Sequence, residues 1–215
     1  MTSGIPGGNF RAPMRVLHYT QEYPPEEGGI ETYCASLVRE LVARGHEVVV
    51  ALRDGGDPRE PATDAAQPHP VVRLRRYFKP AFLYRAYATG ALFRLARRLR
   101  PDVLWLGHWF RHAAAATRAV RPLGVPYVIT CHGEEVMFDP ARPSHSDRRL
   151  LRGYRGAARI FANSRSTAER AVAQGLDPAK LALVHCGVEA RYFEAPDPAR
   201  VAELRARLGA GPATP

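Results

Sequence analysis

The fold class this 215-residue sequence predicts is α/β, with a doubly wound parallel sheet. Three observations predict it. Short apolar runs alternate with helical patterns along the whole chain, which implies parallel strands joined by right-handed crossovers. Polar, aromatic and glycine residues collect just after the apolar runs, where such sheets bind ligands. The composition, 46% hydrophobic and 24% charged, is that of a soluble globular chain long enough to bury a sizeable core.

The elements follow in order. Met1 to Pro13 is rich in Gly, Ser and Pro and lacks an apolar h-region, so it reads as a loose tail and not a secretory signal, with Met14 an alternative start. Arg15 to Thr20 is the first strand. Glu31 to Arg44 is a helix with Tyr33, Leu37, Val38, Leu41 and Val42 on its apolar face, ended by Gly45. Glu47 to Leu52 is a buried strand, followed by a polar loop from Asp54 to Pro70 that is long enough to be mobile. A short strand covers Val71 to Leu74, and a helix runs from about Ala81 to Leu99. Asp102 to Gly107 is strand, Arg111 to Arg121 helix and Tyr127 to Thr130 strand. Arg148 to Ala157 is helical and Arg159 to Ala162 strand-like. A helix over Ser166 to Gln174 is capped by Asn163 or Ser164, and Leu181 to Val184 closes the set.

Between the first strand and the first helix lies Pro24-Pro25-Glu26-Glu27-Gly28-Gly29-Ile30. The prolines keep a helix from starting early, and the glycines turn the backbone without a side chain over the turn. A bare helix N-terminus is the expected result, and its free N–H groups and partial positive charge suit a phosphate. Four further strand-end segments converge with it: Gly107-His108-Trp109-Phe110, Cys131-His132-Gly133-Glu134-Glu135, Asn163-Ser164-Arg165-Ser166 and His185-Cys186-Gly187-Val188-Glu189. Together they predict a crevice.

Other chemistries fit less well. Cys131 and His132 are adjacent, but neighbours at a strand end point to opposite sides, which disfavours a thiol–imidazole pair. His108 and His112 have zinc-ligand spacing, with Glu134 or Glu135 as a third ligand, yet His108 precedes the helix. Gly28-Gly29 lacks the G-x-G-x-x-G dinucleotide pattern. Three widely spaced cysteines, Cys34, Cys131 and Cys186, make no disulfide framework and favour a reducing cytoplasm. The net charge of +10 is concentrated between Val71 and Pro101, a segment with no acidic residue. Its Arg73, Arg75, Arg76, Lys79 and Arg85, interleaved with Tyr77, Phe78, Phe82 and Tyr84, suit either a solvated helix face or peripheral contact with an anionic membrane.

The Pro24-Pro25 to Glu31 turn resembles a known family when taken with Gly45-His46-Glu47-Val48, His132-Gly133-Glu134-Glu135, Ala162-Asn163-Ser164, Gly187-Val188 and Phe193. In that order, from Met14 to about Leu208, they are similar to the N-terminal half of the retaining glycosyltransferases of family 4, which have the GT-B architecture. Phosphatidylinositol mannosyltransferases that use GDP-mannose are the most similar members.

The resemblance implies two Rossmann-like domains, with the acceptor mainly on the N-terminal one and the nucleotide-sugar donor mainly on the C-terminal one. Gly28, Gly29 and Ile30 correspond to the turn at the donor diphosphate, and His132 to the histidine beside the transferred sugar. Tyr23, His108, Glu134, Asn163 and Ser164 are assigned to the acceptor side of the cleft. No metal or other cofactor is expected, since the nucleotide-sugar is a co-substrate. The acceptor is a sugar, a lipid-linked molecule or a natural product, and no nucleic acid is expected.

The family's Glu-x7-Glu motif is missing, and Gly209 to Pro215 falls where an interdomain linker would lead into the donor domain. The expected organisation is a tail over 1–13, a Rossmann-like domain over 14–195, and a helix with the start of a linker over 196–215, inactive without its partner domain. Cytoplasmic placement, with peripheral contact at the inner membrane face through 73–100, is the expected localisation. A non-catalytic binding module and a different Rossmann-like nucleotide-binding enzyme are the alternatives. Acceptor specificity is expected in the loops Asp54 to Pro70 and Phe138 to Arg148.

Overall fold

In the computed structural model, residues 12–109, 113–188 and 193–209 are described. Most of the tail, the residues Phe110, Arg111, His112 and Glu189, and the linker from 210 lie outside them. Seven strands form one sheet in the order β3-β2-β1-β4-β5-β6-β7, every neighbouring pair parallel. They are β1 Arg15–Tyr19, β2 Glu47–Arg53, β3 Val71–Leu74, β4 Val103–Leu106, β5 Tyr127–Cys131, β6 Arg159–Ala162 and β7 Leu181–Leu183. The helices are α1 Gly29–Ala43, α2 Glu60–Ala65, α3 Ala81–Leu99, α4 Ala113–Val120, α5 His145–Gly156, α6 Arg165–Ala173 and α7 Pro198–Leu208. This is the Rossmann-like doubly wound sheet that the alternation predicted.

Strand periodicity divides the core into two layers. Leu17 and Tyr19 of β1 and Leu104 and Leu106 of β4 join a cluster with Tyr84, Leu92, Ala116 and Tyr154 from α3, α4 and α5. Val16, Val48, Val50 and Trp105 form the opposite cluster with Cys34, Ala35 and Val38 of α1. After β1 the chain winds outward through β2 and β3, then returns to lay β4 on the other side of β1. That reversal opens a crevice beyond the carboxyl ends of β1 and β4.

Two local expectations need correction. The stretch after β2 is not an open loop: it holds α2, whose Pro61 near its first turn suits a helix start. Glu60 there is buried and accepts a hydrogen bond from the Gly55 amide at 2.9 Å. The segment from 138 is also anchored, because the Gln174 side-chain amide donates to the carbonyls of Val136 and Phe138 at 3.1 and 2.7 Å. The helix beyond it starts at His145, earlier than expected, because Ser144 and Asp147 form a reciprocal capping box.

The chain divides into two compact units, Met1–His185 and Cys186–Pro215. The first contains the whole sheet. The second carries α7, whose N-terminus is capped by Asp197 accepting from the Ala199 amide at 2.9 Å.

Candidate functional site

The glycine turn sits beyond β1, and α1 begins at Gly29 without a side-chain cap. Gly28 is extended, so its value is space: a Cβ there would collide with the Glu31 carboxylate. Beside Gly29, a Cβ would meet no atom within 4 Å. The helix terminus is therefore open at Gly29, but it is not bare, because Glu31 folds back over Gly28. Ile30 turns its side chain to the α1 layer of the core, which leaves its backbone for the terminus.

His132 stands at the same end of α1. Its ring meets the edge of Tyr33, one helical turn beyond Gly29, with centroids 5.2 Å apart. Its Nε2 lies 3.0 Å from the Gly107 carbonyl, which can only accept, so Nε2 carries the proton and Nδ1 is an acceptor in the neutral ring. Among the described residues, no partner takes that Nδ1. The His132 backbone, by contrast, is fully engaged: its N–H donates to Glu135 at 3.1 Å and its carbonyl accepts from the Asn163 amide at 3.1 Å. The ring, and not the backbone, is the group left for a ligand.

Glu135, which the sequence offered only as an alternative metal ligand and as part of the His132-Gly133-Glu134-Glu135 element, has a bracing role. Its carboxylate also accepts from the Gly133 amide at 3.0 Å and lies 3.2 Å from the Tyr154 hydroxyl, so it fixes the loop after β5. Glu134 is exposed. Ser164, not Asn163, caps α6 by accepting from the Thr167 amide at 3.1 Å, and Thr167 in turn donates to Asn163 at 2.9 Å. Asn163 and Ser164 therefore brace the His132 loop from the α6 side.

His108, after β4, is 8% exposed and lies 6.5 Å from the His132 ring. Its Nε2 is 3.8 Å from a Glu22 carboxylate oxygen. Burial, with His132 nearby, holds its pKa down to about 4. Burial raises the Glu22 carboxyl, and the neighbouring charges of Glu31, Glu26, Glu135 and Glu134 raise it further. The mouth of the crevice is thus acidic. Cys131 is buried, which pushes its thiol up to about 12 and leaves it no nucleophile.

Tyr23 does not line the crevice. It is 1% exposed, and its hydroxyl is 2.8 Å from Nε2 of His69, a residue of the segment before β3. A second tether joins the same regions, since Arg73 on β3 donates to the Pro24 carbonyl at 2.9 Å. The Arg73 guanidinium also reaches Asp64 at 2.7 Å and Glu60 at 2.8 Å, with its side chain only 13% exposed. Removing one partner of a buried ion network leaves the others uncompensated. Arg73→Met is expected to cost about 3 kcal/mol in urea unfolding and to speed amide exchange at Gly28 and Gly29; a stability unchanged by the substitution would refute the tether.

The fold and the site define a Rossmann-like domain with its ligand crevice at the switch point between β1 and β4. Residues 27–192 match the model of Glycosyltransferase Family 4. The chain belongs to that family. It is 31% identical over 201 residues to the GDP-mannose-dependent alpha-(1-6)-phosphatidylinositol monomannoside mannosyltransferase of Mycobacterium tuberculosis, covering 92% of this chain and 50% of that protein. The chain thus spans about half the length of the curated relatives it matches.

Solved structures agree on the fold. The Anabaena protein Alr3699/HepE in complex with UDP superposes with a TM-score of 0.69 at 18% identity, over 91% of this chain and 50% of that one. A glycosyltransferase from Rickettsia africae gives 0.71 at 14% identity, over 95% and 52%. A UDP-GlcNAc 2-epimerase from Methanocaldococcus jannaschii gives 0.62 at 14% identity, over 80% and 45%.

Proposed function

We propose that this chain is the acceptor-side half of a retaining glycosyltransferase that moves a sugar from a nucleoside-diphosphate sugar to an acceptor hydroxyl, with GDP-mannose the favoured donor. One observation carries the reading: the open helix terminus at Gly29 and the bare Nδ1 of His132 meet at one end of α1, joined through Tyr33. A diphosphate at Gly29 and Ile30 would take the place of the flexible Glu31 side chain and face the positive end of the helix dipole. The sugar it carries would then lie by His132, whose Nδ1 accepts from a sugar hydroxyl. As positive charge grows on the sugar ring, the leaving phosphate takes the acceptor proton, and no metal is required. The relatives support the donor: the mycobacterial enzyme is named for GDP-mannose, and the Anabaena structure holds UDP.

The acidic mouth sets a limit. Glu22, Glu26, Glu31, Glu134 and Glu135 cluster where a diphosphate would sit, so the countercharge must come from the donor half. Titrated alone, the chain is expected to bind GDP-mannose only in the millimolar range, and nicotinamide dinucleotides no better. Transfer is expected once it is fused to the second half of the mycobacterial relative. Tight dinucleotide binding by the chain alone would overturn the reading; tight partner binding without turnover in the fusion would favour a non-catalytic module.

The basic segment adds a membrane contact to the proposal. Among the described residues no helix is long and apolar enough to cross a membrane. At the start of α3, however, Phe82 and Leu83 are 60% and 48% exposed, flanked by Lys79 and Arg85 and close in sequence to Arg75 and Arg76. Each basic residue near an anionic surface contributes about 1 kcal/mol. Neutralising Arg75, Arg76 and Lys79 together should therefore weaken cosedimentation with anionic vesicles by roughly 100-fold; undiminished binding would exclude the contact.

A further inference from the structure

The group that His132 offers a ligand is a single ring nitrogen, so its direction depends on what holds the ring and the backbone beneath it. The ring end is fixed by the Gly107 carbonyl, 3.0 Å from Nε2. Gly107 is itself pinned: its amide donates to the Tyr19 carbonyl at 3.2 Å, and a Cβ there would overlap the Thr20 hydroxyl oxygen and press on the Cys34 sulfur. The backbone end has no such ladder. His132 lies one residue past the end of β5, and Gly133 follows at φ 116°, a conformation that glycine adopts without a steric cost.

One carboxylate holds that end. The successive amides of His132 and Gly133 converge on the same Glu135 oxygen at 3.1 and 3.0 Å, a nest of N–H groups filled from within the chain. The other oxygen lies 3.2 Å from the hydroxyl of Tyr154, which is fully buried on α5 and stands equally close to the Thr130 carbonyl. One phenolic proton serves both acceptors. The base of this chain of contacts is firm: the six-membered ring of Trp109 lies against Gly153, where a Cβ would overlap it, and the Gly153 carbonyl accepts from the Tyr127 hydroxyl. The hold on His132 therefore runs from α5 through Tyr154 and Glu135 to two backbone amides.

We propose that Glu135 is a positioning residue for sugar transfer: its carboxylate, held from α5 by Tyr154, fixes the His132–Gly133 backbone and with it the direction in which Nδ1 of His132 faces the sugar. The hydrogen bonds matter here more than the charge. Glu135→Gln keeps one oxygen for the two amides and turns an amino group toward the Tyr154 hydroxyl, which accepts it while donating to Thr130. Glu135→Ala leaves both amides unheld, and the ring is then free to leave the Gly107 carbonyl. The proposal rests on the transferase reading for its effect on rate, but the fixed ring it asserts belongs to the chain alone.

The test has two arms. In the first, the His132 ring nitrogens of the chain alone are observed by nitrogen-15 NMR at about pH 8, where an ordinary imidazole is neutral, and assigned by their loss in His132→Asn. Wild type and Glu135→Gln should show the single tautomer protonated at Nε2, and Glu135→Ala a mixture of both. Tyr154→Phe, which removes only the hydroxyl, repeats the test should Glu135→Ala fail to fold. In the second arm, the fused protein carrying Glu135→Ala should lose about 30-fold in kcat with KM for the nucleotide-sugar within about twofold, and Glu135→Gln should stay within about threefold of wild type. Added to His132→Ala, the same Glu135→Ala change should cost less than about threefold, because it acts through the ring. The wild-type tautomer in Glu135→Ala, or an equal loss of kcat with and without His132, overturns the proposal. A tautomer mixture in Glu135→Ala with no transfer by the unsubstituted fusion leaves the positioning standing and removes the transferase reading instead.

Discussion

Replacing His132 by Ala should lower sugar transfer by the fused, two-domain protein about 100-fold, the scale on which a positioned polar group at a developing charge acts. The effect should fall on kcat more than on KM. The ring touches the ligand through Nδ1, while the diphosphate end is held by the helix terminus at Gly29 and Ile30. The substitution also removes the bond from Nε2 to the Gly107 carbonyl, and leaving one carbonyl unpaired costs about 1–3 kcal/mol. A melting temperature measured alongside separates the two consequences. His132→Asn provides a second check, since a shorter polar side chain should recover part of the stability without recovering the rate. Transfer by His132→Ala within a factor of about three of wild type would remove the ring from the chemistry and leave it as a brace for β4.

Much of this arrangement was legible because its signals are local. Apolar runs and helical periods gave the strand and helix sequence, and strand-end position alone brought His108, His132, Asn163 and Ser164 to one side of the sheet. Misassignments arose where a partner lies far along the chain. Tyr23 reads as a cleft residue after β1, yet it is sealed in the core by His69, forty-six positions away. Arg73 reads as one cation of the acid-free basic segment, while Glu60 falls in the polar stretch before it, and only folding shows that they meet. Gly153 carried no visible signal, because its value lies in admitting Trp109 from a different strand end.

The bare strand histidine His18 carries the other large consequence, a marked loss of stability in mild acid. It is 0% exposed at the centre of β1, stacked on Trp105 with centroids 3.7 Å apart. Nδ1 lies 3.2 Å from the Trp105 carbonyl and must donate to it, which leaves Nε2 a buried acceptor with no hydrogen-bond partner. Burial, aided by the nearby His108 and His69, depresses its pKa to about 3, while the bond to the Trp105 carbonyl opposes the shift. His108 is held near 4 by burial and His132, and His69 is lowered by burial.

In each case the folded form stays neutral where the unfolded chain takes up a proton near pH 6.5. Their contribution to stability is complete above that pH and declines as the pH falls toward the folded values. Between about pH 6 and 4, His18 and His108 together remove roughly 2.7 kcal/mol per pH unit, with His69 acting in the same direction. A domain at the low end of ordinary stability, about 5 kcal/mol, would unfold near the lower limit, and a more stable one would lose a large fraction of its margin. Urea denaturation at intervals from pH 7.5 to 4.5 measures the slope. Carboxylates also titrate toward the acid end, so His18→Gln is the deciding variant: it keeps a side-chain donor for the Trp105 carbonyl but cannot be protonated. It should reduce the slope by about 1.4 kcal/mol per pH unit, and a slope identical to wild type would show that His18 does not control acid unfolding.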